Sequence, residues 1–555
     1  MRCLLLGVVS VSWLAACGSD PGPTGAISAH VTHYDYKLDL DTRIAHSKVT
    51  LVADSAGDCM TLPFRATDLT GVAFDGAPAS GTQNADQTLT VCGNSVAKDA
   101  TFTLESDHSI ALATLSTSNV GFSITKDKEQ NSFTYLVSWV DGCDQFGPCD
   151  NRPDQFATYT FDVTHTAAVM VRCSGTVTDK SPTETLCDFQ DAGGPTYSTF
   201  GLAAYPAWTQ TDKGTWSGVH VTVYDRAATG VAAAIDPTFH AGFLTWMQAQ
   251  FGAFPFGTEL RVLTAPTYWS GFEHPGNIVL DDGLAKEVGG YLHPVAHVLD
   301  HEMTHMWAGD QTTLAATYDF VWKEAMAEYL AFVWEDMNDA ASSTATTSLW
   351  KADSKVAKYF PVPQEHPALF DYYGDVYGPG PMVLFRQLEV LTSREQGIAA
   401  LMTVLGTPHA LSVDELVTAL EASTELQLGD YAAAWIKGSG APQWPRVATS
   451  FTPGATTGAV GSLAVAVTNN PPGTPRGCKF HVTLSDGGAN SVKVEVNTFA
   501  NGPVQSLAVA QPAFTVTKID LDPDHECLVF PATGVAKTVL TGAHPWVSST
   551  HSHGE

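Results

Sequence analysis

The segment His301-Glu302-Met303-Thr304-His305 constrains this chain more than any other. Two histidines four positions apart lie on one face of a helix, one turn from each other. Their imidazole nitrogens can hold one zinc ion, and Glu302 can take a proton from the water that the metal activates. With 19 histidines in 555 residues, this pattern is expected by chance roughly 0.03 times. A coincidental pattern on a solvated helix is therefore the weaker interpretation.

A second segment offers a third donor for the same ion. A catalytic zinc site has three protein ligands and one open position. Glu324 follows His305 by nineteen positions and lies in a predicted helix, 318–336. Packing of the two helices would bring Glu324 to the metal. Glu328 lies in the same helix, and we expect its side chain to be solvated at the surface.

Several segments resemble the gluzincin aminopeptidase N family of zinc metallopeptidases, in the same order along the chain. The resemblance covers residues 30–445 and extends more loosely beyond them. The matching segments are Pro148 to Asp154, Ala157 to Phe161, Phe251 to Phe256, Ser270 to Gly276, His301 to Asp310, Glu324 to Tyr329 and Tyr377 to Gly380.

The resemblance implies the hydrolytic roles in this chain. His301, His305 and Glu324 would be the ligands of one zinc ion per chain. Glu302 would be the general base. Tyr377 has the glycine that follows it at the family's spacing, and it would donate a hydrogen bond to the oxyanion of the tetrahedral intermediate.

The resemblance also implies how a substrate would bind. Glu273 would hold the free α-amino group of a peptide, because a carboxylate facing an ammonium fixes the first residue of the substrate. Gly271, Phe272 and His274 flank Glu273 in the same substrate-binding motif.

The chain departs from the family pattern at several points. Phe272 and His274 replace the family's Met and Asn beside Glu273, so we expect a differently shaped amine pocket. Lys323, Ala325 and Met326 replace the usual Asn, Gly and Phe beside Glu324 without removing the ligand. The family's substrate-contacting Gln in the β domain has no clear counterpart near Ser138-Trp139. Many members end in a large helical domain that covers the site, whereas this chain ends in predicted strands, so we expect a more open cleft.

The N-terminus has the pattern of an export signal. A short basic start precedes an apolar run over 4–16, which is too short for a lasting membrane span. The run ends in Leu14-Ala15-Ala16-Cys17, which resembles a bacterial lipobox. We expect residues 1–16 to be removed, Cys17 to carry a lipid, and residues 17–28 to form a tether. The protein would then be anchored to a bacterial membrane on its periplasmic or cell-surface side. The alternative is an ordinary secretory signal with a coincidental cysteine.

Eight further cysteines indicate disulfides, because an even number in an exported chain is typical of disulfide-bonded proteins. Eight cysteines allow about 105 pairings, so the sequence alone does not decide among them. Nearest-neighbour pairing is our expectation, because each pair lies in one apparent domain: 59–92, 143–149, 173–187 and 478–527.

Changes in periodicity predict a multidomain α+β protein. Short alternating strands indicate an N-terminal antiparallel β domain over 29–226. Helical periodicity dominates 227–445, which the resemblance makes the thermolysin-like (gluzincin) catalytic domain. Alternation returns over 446–543 as a C-terminal β-sandwich, and 544–555 is a frayed tail. The helices predicted in the central domain are 231–251, 292–308, 318–336, 382–391 and 413–422.

The family resemblance and the export signal together imply a zinc-dependent aminopeptidase outside the cytoplasm, acting on peptides with a free N-terminus. The formal charge of -30 repels phosphate backbones, so we expect no nucleic-acid partner. Two alternatives stay open. One is an endopeptidase, or a hydrolase of non-peptide substrates, on the same scaffold. The other is a non-enzymatic surface binding protein that keeps a structural zinc ion.

Overall fold

The computed structural model describes residues 25–112, 121–126, 130–138, 142–195, 201–267, 269–287, 290–316, 319–353, 379–433, 445–468 and 477–532. Cys17, Tyr377, the predicted signal peptide and the predicted tail lie outside these stretches. Within them, no helix has the length and apolar character that crossing a bilayer requires.

Alternation of buried and solvent-facing side chains builds the N-terminal β region. In Ile44–Ala53 every second residue from Ala45 onwards is buried, so one strand face lies on a core. Three sheets result. In order across each sheet they are Thr176–Ser181, Glu184–Pro195, Phe156–Thr164, Ala29–Asp39, Ile44–Ala53, Thr101–Ser109, Thr67–Phe74 and Ala77–Pro78; then Gly57–Pro63, Thr88–Val96 and Ser80–Gln83; then Met170–Cys173, Gly201–Tyr205, Ser132–Val137 and Gly121–Lys126.

One strand pair in the eight-stranded sheet is parallel. Ala29–Asp39 pairs antiparallel with Ile44–Ala53 on one side and parallel with Phe156–Thr164 on the other. The predicted antiparallel β domain therefore contains one parallel pair, which is a departure from the prediction. Alternation identifies a strand and its buried face, but it does not reveal the direction of the neighbouring strand.

Four disulfides link the cysteines, and the nearest-neighbour pairing is confirmed. Each disulfide closes a loop within one region of the chain, which restricts the unfolded ensemble. The pairs are Cys59–Cys92, Cys143–Cys149, Cys173–Cys187 and Cys478–Cys527.

A five-stranded mixed sheet supports the helices of the central region. Val219–Asp225 pairs in parallel with Glu259–Ala265, so the predicted boundary at residue 226 separates two strands of one sheet. The last strand, Gly271–His274 (hereafter the edge strand), runs antiparallel to its neighbour. In order the strands are Thr209–Trp216, Val219–Asp225, Glu259–Ala265, Asn277–Asp281 and Gly271–His274, and Thr312–Leu314 pairs separately with His409–Leu411.

In the described part of the chain the helices follow the predicted order, with one division and with three additions at Ala340–Asp353, Arg394–Met402 and Gly429–Tyr431. The predicted helix 231–251 divides because Asp236 accepts hydrogen bonds from the backbone N–H groups of Thr238 and Phe239, with Pro237 in the first turn. The helices are Val231–Ala234, Pro237–Phe251, Pro294–His305, Phe320–Asn338, Ala340–Asp353, Pro379–Leu391, Arg394–Met402, Val413–Thr424 and Gly429–Tyr431, with short 3₁₀ helices at Cys143–Gln145 and Leu284–Lys286.

Two sheets form the C-terminal region. Their buried residues, among them Leu463 and Val482, belong to the same hydrophobic core as the central helices. In order the strands are Val504–Ala510, Val460–Thr468, Arg446–Thr452 and Phe530–Pro531, then Ser491–Asn497, Lys479–Ser485 and Lys518–Leu521, with one helical turn at Thr498–Asn501.

Candidate active site

Two histidines on the helix Pro294–His305 (hereafter the histidine helix) point their Nε2 atoms at one place. Pro294 opens the helix in its first turn, and Leu299 and Met303 bury the opposite face in the core. The Nε2 atoms of His301 and His305 lie 3.2 Å apart, and both rings are buried. The spacing of four residues therefore has the consequence that the sequence predicts.

The helix Phe320–Asn338 (hereafter the glutamate helix) brings the third donor. Oε2 of Glu324 lies 3.3 Å from Nε2 of His301 and 3.4 Å from Nε2 of His305. Donors at about 2.05 Å from one ion in tetrahedral geometry lie about 3.4 Å apart. The three donors therefore fit a single zinc ion, and one position is left for water or substrate.

Hydrogen bonds orient both histidines for a metal. Nδ1 of His305 lies 3.1 Å from the carbonyl oxygen of Ala308, which can only accept, so Nδ1 carries the proton. Nδ1 of His301 lies 3.0 Å from Oε2 of Glu328. In each ring the lone pair is then left on Nε2, which is the atom that faces the candidate metal position.

Glu328 is fully buried, so the expectation that it is solvated at the surface is wrong. Its Oε2 pairs with His297 as well as with His301, and its Oε1 accepts from the Tyr291 hydroxyl and the Trp350 indole. Burial works against ionisation, but the two histidines outweigh it and hold the pKa of Glu328 far below its ordinary value. The Glu328 carboxylate therefore holds Nδ1 of His301, the ring nitrogen that faces away from the candidate metal position.

Glu302 lies on the open side of the donor set. Burial raises its pKa to about 8, and the nearby carboxylates of Glu273 and Glu324 add to this rise. A Cβ atom on Gly271 would lie 2.7 Å from Oε1 of Glu302, so the glycine of the edge strand leaves the space that the Glu302 carboxylate needs. Glu302 is thus placed where a proton acceptor would be useful.

The edge strand carries the predicted substrate residues into the same pocket. Glu273 is buried, and its Oε1 lies 3.1 Å from Nζ of Lys323, whose Nζ also lies 2.9 Å from Oε1 of Glu324. Burial works against ionisation of Glu273, but Lys323 and His305 outweigh it and lower its pKa. One ammonium therefore lies between the predicted amine anchor and the predicted zinc ligand.

Phe272 and His274 shape the wall on either side of Glu273. Phe272 packs its ring against Trp269 and Tyr135, and against the ring of His274. The ring of His274 lies where a Cβ atom on Gly201 would otherwise be, 1.6 Å from Cδ2. The two departures from the family pattern are thus parts of the pocket wall, with His274 buried and Phe272 partly buried.

The structure brings together every predicted site residue that it describes. A pocket of about 30 Å³ is lined by Gly271, Phe272, Glu273, His274, Glu302, His305, Lys323 and Glu324, together with Val137, Ser138 and Trp269. His301 completes the metal donors beneath it. Tyr377 and Cys17 lie outside the described residues.

The sequence alone does not place Lys323 or Glu328 in the site. In the sequence Lys323 is a departure from the family pattern beside Glu324. Nothing in the sequence indicates that its ammonium is buried. Glu328 follows Glu324 by four positions, which places both on one face of the glutamate helix. This spacing is the pattern that could have identified Glu328.

Solved structures of other proteins match this chain at the level of fold. A mutant of the M1 zinc metallopeptidase from Deinococcus radiodurans, bound to a Tyr-Ser-Ala substrate, aligns with a TM-score of 0.61 and 19% identity over 75% of this chain and 95% of that chain. The chain has the M1 zinc metallopeptidase fold. The fold that the motif resemblance implies is therefore confirmed.

A second match covers more of this chain. Legionella pneumophila aminopeptidase A, in complex with aspartic acid, aligns with a TM-score of 0.72 and 14% identity over 91% of this chain. The chain spans 59% of the length of that protein. No family model and no curated protein matches the sequence.

Proposed function

We propose that this protein is a zinc-dependent aminopeptidase that removes N-terminal residues from peptides outside the cytoplasm. The observation that carries the proposal is the placement of Glu273 in one pocket with Glu302 and with the donors His305 and Glu324. A carboxylate held beside a hydrolytic metal site counts residues from the substrate's amino end. Residues 227–445 form the catalytic domain in this proposal.

Each residue of the site has a task in the proposed reaction. When bound by His301, His305 and Glu324, zinc supplies Lewis-acid polarisation of the first peptide carbonyl and makes water more acidic. Glu302 accepts the proton of the attacking water and returns it to the leaving amine. Glu273 holds the substrate's α-ammonium, and Tyr377 donates a hydrogen bond to the developing oxyanion.

The fold comparisons support a peptide substrate. The Deinococcus radiodurans enzyme was captured with a tripeptide, and the Legionella pneumophila protein is an aminopeptidase holding a single amino acid. Both ligands carry a free amino group of the kind that Glu273 would bind here. A carboxylate at that point argues against an endopeptidase, whose substrates would present no α-ammonium there.

A hydrolysis assay tests the proposal. Aminoacyl reporters with a free amine should be cleaved, and their N-acetylated forms should be cleaved far more slowly. A chelator should abolish both reactions and added zinc should restore them. Equal rates on free and acetylated reporters would favour an endopeptidase or a general hydrolase. No chelator-sensitive hydrolysis of either kind would favour a binding protein with structural zinc.

We also propose that the mature protein is exported and lipid-anchored through Cys17 to a bacterial membrane. Four disulfides support export, because such bonds persist in oxidising compartments. The wild-type protein should fractionate with membranes, and Cys17→Ser should move it to the soluble fraction or leave its signal uncleaved. A soluble wild-type protein with an unmodified N-terminus would contradict the anchor and leave the enzymatic proposal intact.

A further inference from the structure

Lys323 is a buried cation between carboxylates that come from two different elements. Its side chain is 1% exposed, and it pairs with Glu273 on the edge strand and with Glu324 on the glutamate helix. Removing an ammonium from water is costly, and good geometry with opposite charges is needed to offset the cost. The two short contacts meet that requirement.

The side chain of Lys323 also packs against Gly309 and near the ring of Phe320. Its methylene stem passes over Gly309, where a Cβ atom would lie 2.7 Å from Cε of Lys323. The ring of Phe320 lies 5.6 Å from Nζ. Gly309 follows the histidine helix and Phe320 begins the glutamate helix, so the ammonium takes its position from both metal-binding elements.

The two carboxylate oxygens of Glu324 face different sides of the site. Oε2 faces the two histidines, whereas Oε1 faces Lys323. The same ammonium holds Oε1 of Glu273. The lysine therefore connects the carboxylate that would bind the substrate's amine to the carboxylate that would bind zinc, through two direct contacts.

We propose that Lys323 is a positioning residue that sets the selectivity of this site for a free N-terminus. By holding Glu273 against the fixed ligand Glu324, it sets the distance from the amine anchor to the metal. The first peptide carbonyl then reaches the hydrolytic centre only when the α-ammonium is engaged. The inference rests on the proposed aminopeptidase function and adds a residue that the family resemblance leaves unassigned.

The test compares Lys323→Gln and Lys323→Met with the wild type. Met fills the same channel over Gly309 without a charge, so it is a second neutral variant if Gln disturbs folding. Lys323→Arg restores the charge, and Lys351→Gln is a matched control, since Lys351 binds backbone carbonyls of Leu521 and Asp522 in the C-terminal region.

Kinetics form the first arm of the test. In the neutral variants kcat/KM on free-amine reporters should fall at least about tenfold more than on N-acetylated reporters, mainly through KM. Lys323→Arg should recover part of this ratio, and Lys351→Gln should keep the wild-type ratio. The zinc content of each variant is measured on the same preparation. It distinguishes a variant that has lost zinc from one that keeps zinc but no longer positions Glu273.

The second arm measures ligand binding to protein from which a chelator has removed zinc, so it does not depend on turnover. L-alaninamide should bind the neutral variants more weakly than the wild type, whereas N-acetyl-L-alaninamide should bind both alike. The role of Lys323 is wrong if the neutral variants keep the wild-type ratio of free-amine to N-acetylated kcat/KM, or the wild-type ratio of L-alaninamide to N-acetyl-L-alaninamide affinity. A wild type that itself lacks amine selectivity would instead overturn the proposed function.

Discussion

At the scale of single residues, Glu302 and Glu273 are two carboxylates in one pocket with separable tasks. Glu302→Gln keeps the size of the side chain but removes the proton acceptor. We expect turnover on every substrate to fall by about a hundredfold or more, while zinc content stays near one per chain. Steady-state kinetics and metal analysis of the same preparation check this. Loss of the metal together with the activity would contradict the assignment of Glu302 as the base.

Glu328 provides a test of the support behind the metal ligands. Glu328→Gln keeps the hydrogen bonds to Tyr291 and Trp350 feasible but removes the charge that faces His301. Losing such an outer partner typically lowers metal affinity by about 10–100-fold. We expect a loss of that size in a competition titration against a zinc chelator.

Glu335→Gln is the matched control for Glu328→Gln. Glu335 is also a buried carboxylate on the glutamate helix, and it pairs with the other ring nitrogen of His297, 2.9 Å away, rather than with His301. Its substitution should leave zinc affinity nearly unchanged. If both variants lose zinc equally, general disruption of the helix is the cause and the specific role of Glu328 is wrong.

The sequence indicates the candidate metal donors more directly than the residues that support them. His301, His305 and Glu324 follow from helical spacing and from a recurring motif, because ligand geometry limits which residues can occupy those positions. Glu328 and Lys323 depend on which helix faces are covered by tertiary packing. A charged residue on a helix is usually solvated, so the sequence alone favours the wrong environment for both.

At the scale of elements, two sheets meet at the pocket. Gly201 lies on a strand of the N-terminal region, and the ring of His274 on the edge strand lies where a Gly201 Cβ atom would be. Gly201→Ala forces these strands apart or rotates His274. We expect the free energy of unfolding to fall by about 1–3 kcal/mol, as for overpacked cores, and amine selectivity to weaken because Glu273 adjoins His274.

Gly397→Ala is the control for this glycine substitution. Gly397 lies within the helix Arg394–Met402, and the nearest atom to its Cβ position is the Tyr329 hydroxyl at 4.0 Å. Alanine should therefore be neutral, or stabilise the protein by up to about 1 kcal/mol. Chemical denaturation measures both variants. Equal effects at the two positions would show that the contact with His274 is not the cause.

Element types were readable from the sequence where periodicity was clear, and strand partners were not. The histidine helix was predicted at 292–308 and observed at Pro294–His305. Alternation over 29–226 indicates strands but gives no sign that Val219–Asp225 pairs across the predicted domain boundary. The helix Ala340–Asp353 was missed because it is rich in Ser and Thr, which compete for backbone hydrogen bonds and have modest helix propensity.

At the scale of the whole molecule, the C-terminal sheets are joined to the central helices. The side-chain amide of Gln387 donates to the carbonyls of Lys479 and Glu526 and accepts from the Lys479 N–H. Buried residues of both regions belong to one hydrophobic core, and most of the N-terminal β region has a second core. A smaller third core, which includes Tyr135 and Leu263, joins N-terminal strands to the central sheet. This division predicts two cooperative units rather than three.

Calorimetry with and without zinc tests that division and the metal site together. The donors His301, His305 and Glu324 all lie in the unit formed by the central helices and the C-terminal sheets. A ligand that binds only the folded state stabilises it by about 2.7 kcal/mol at 100 times its Kd. We therefore expect two transitions, of which only the one from the helical and C-terminal unit moves to lower temperature on chelation. Gln387→Ala should lower that same transition and leave the N-terminal one in place. Equal shifts of both transitions on chelation would mean that the N-terminal sheets unfold with the metal site, and a separate C-terminal transition would contradict the shared core.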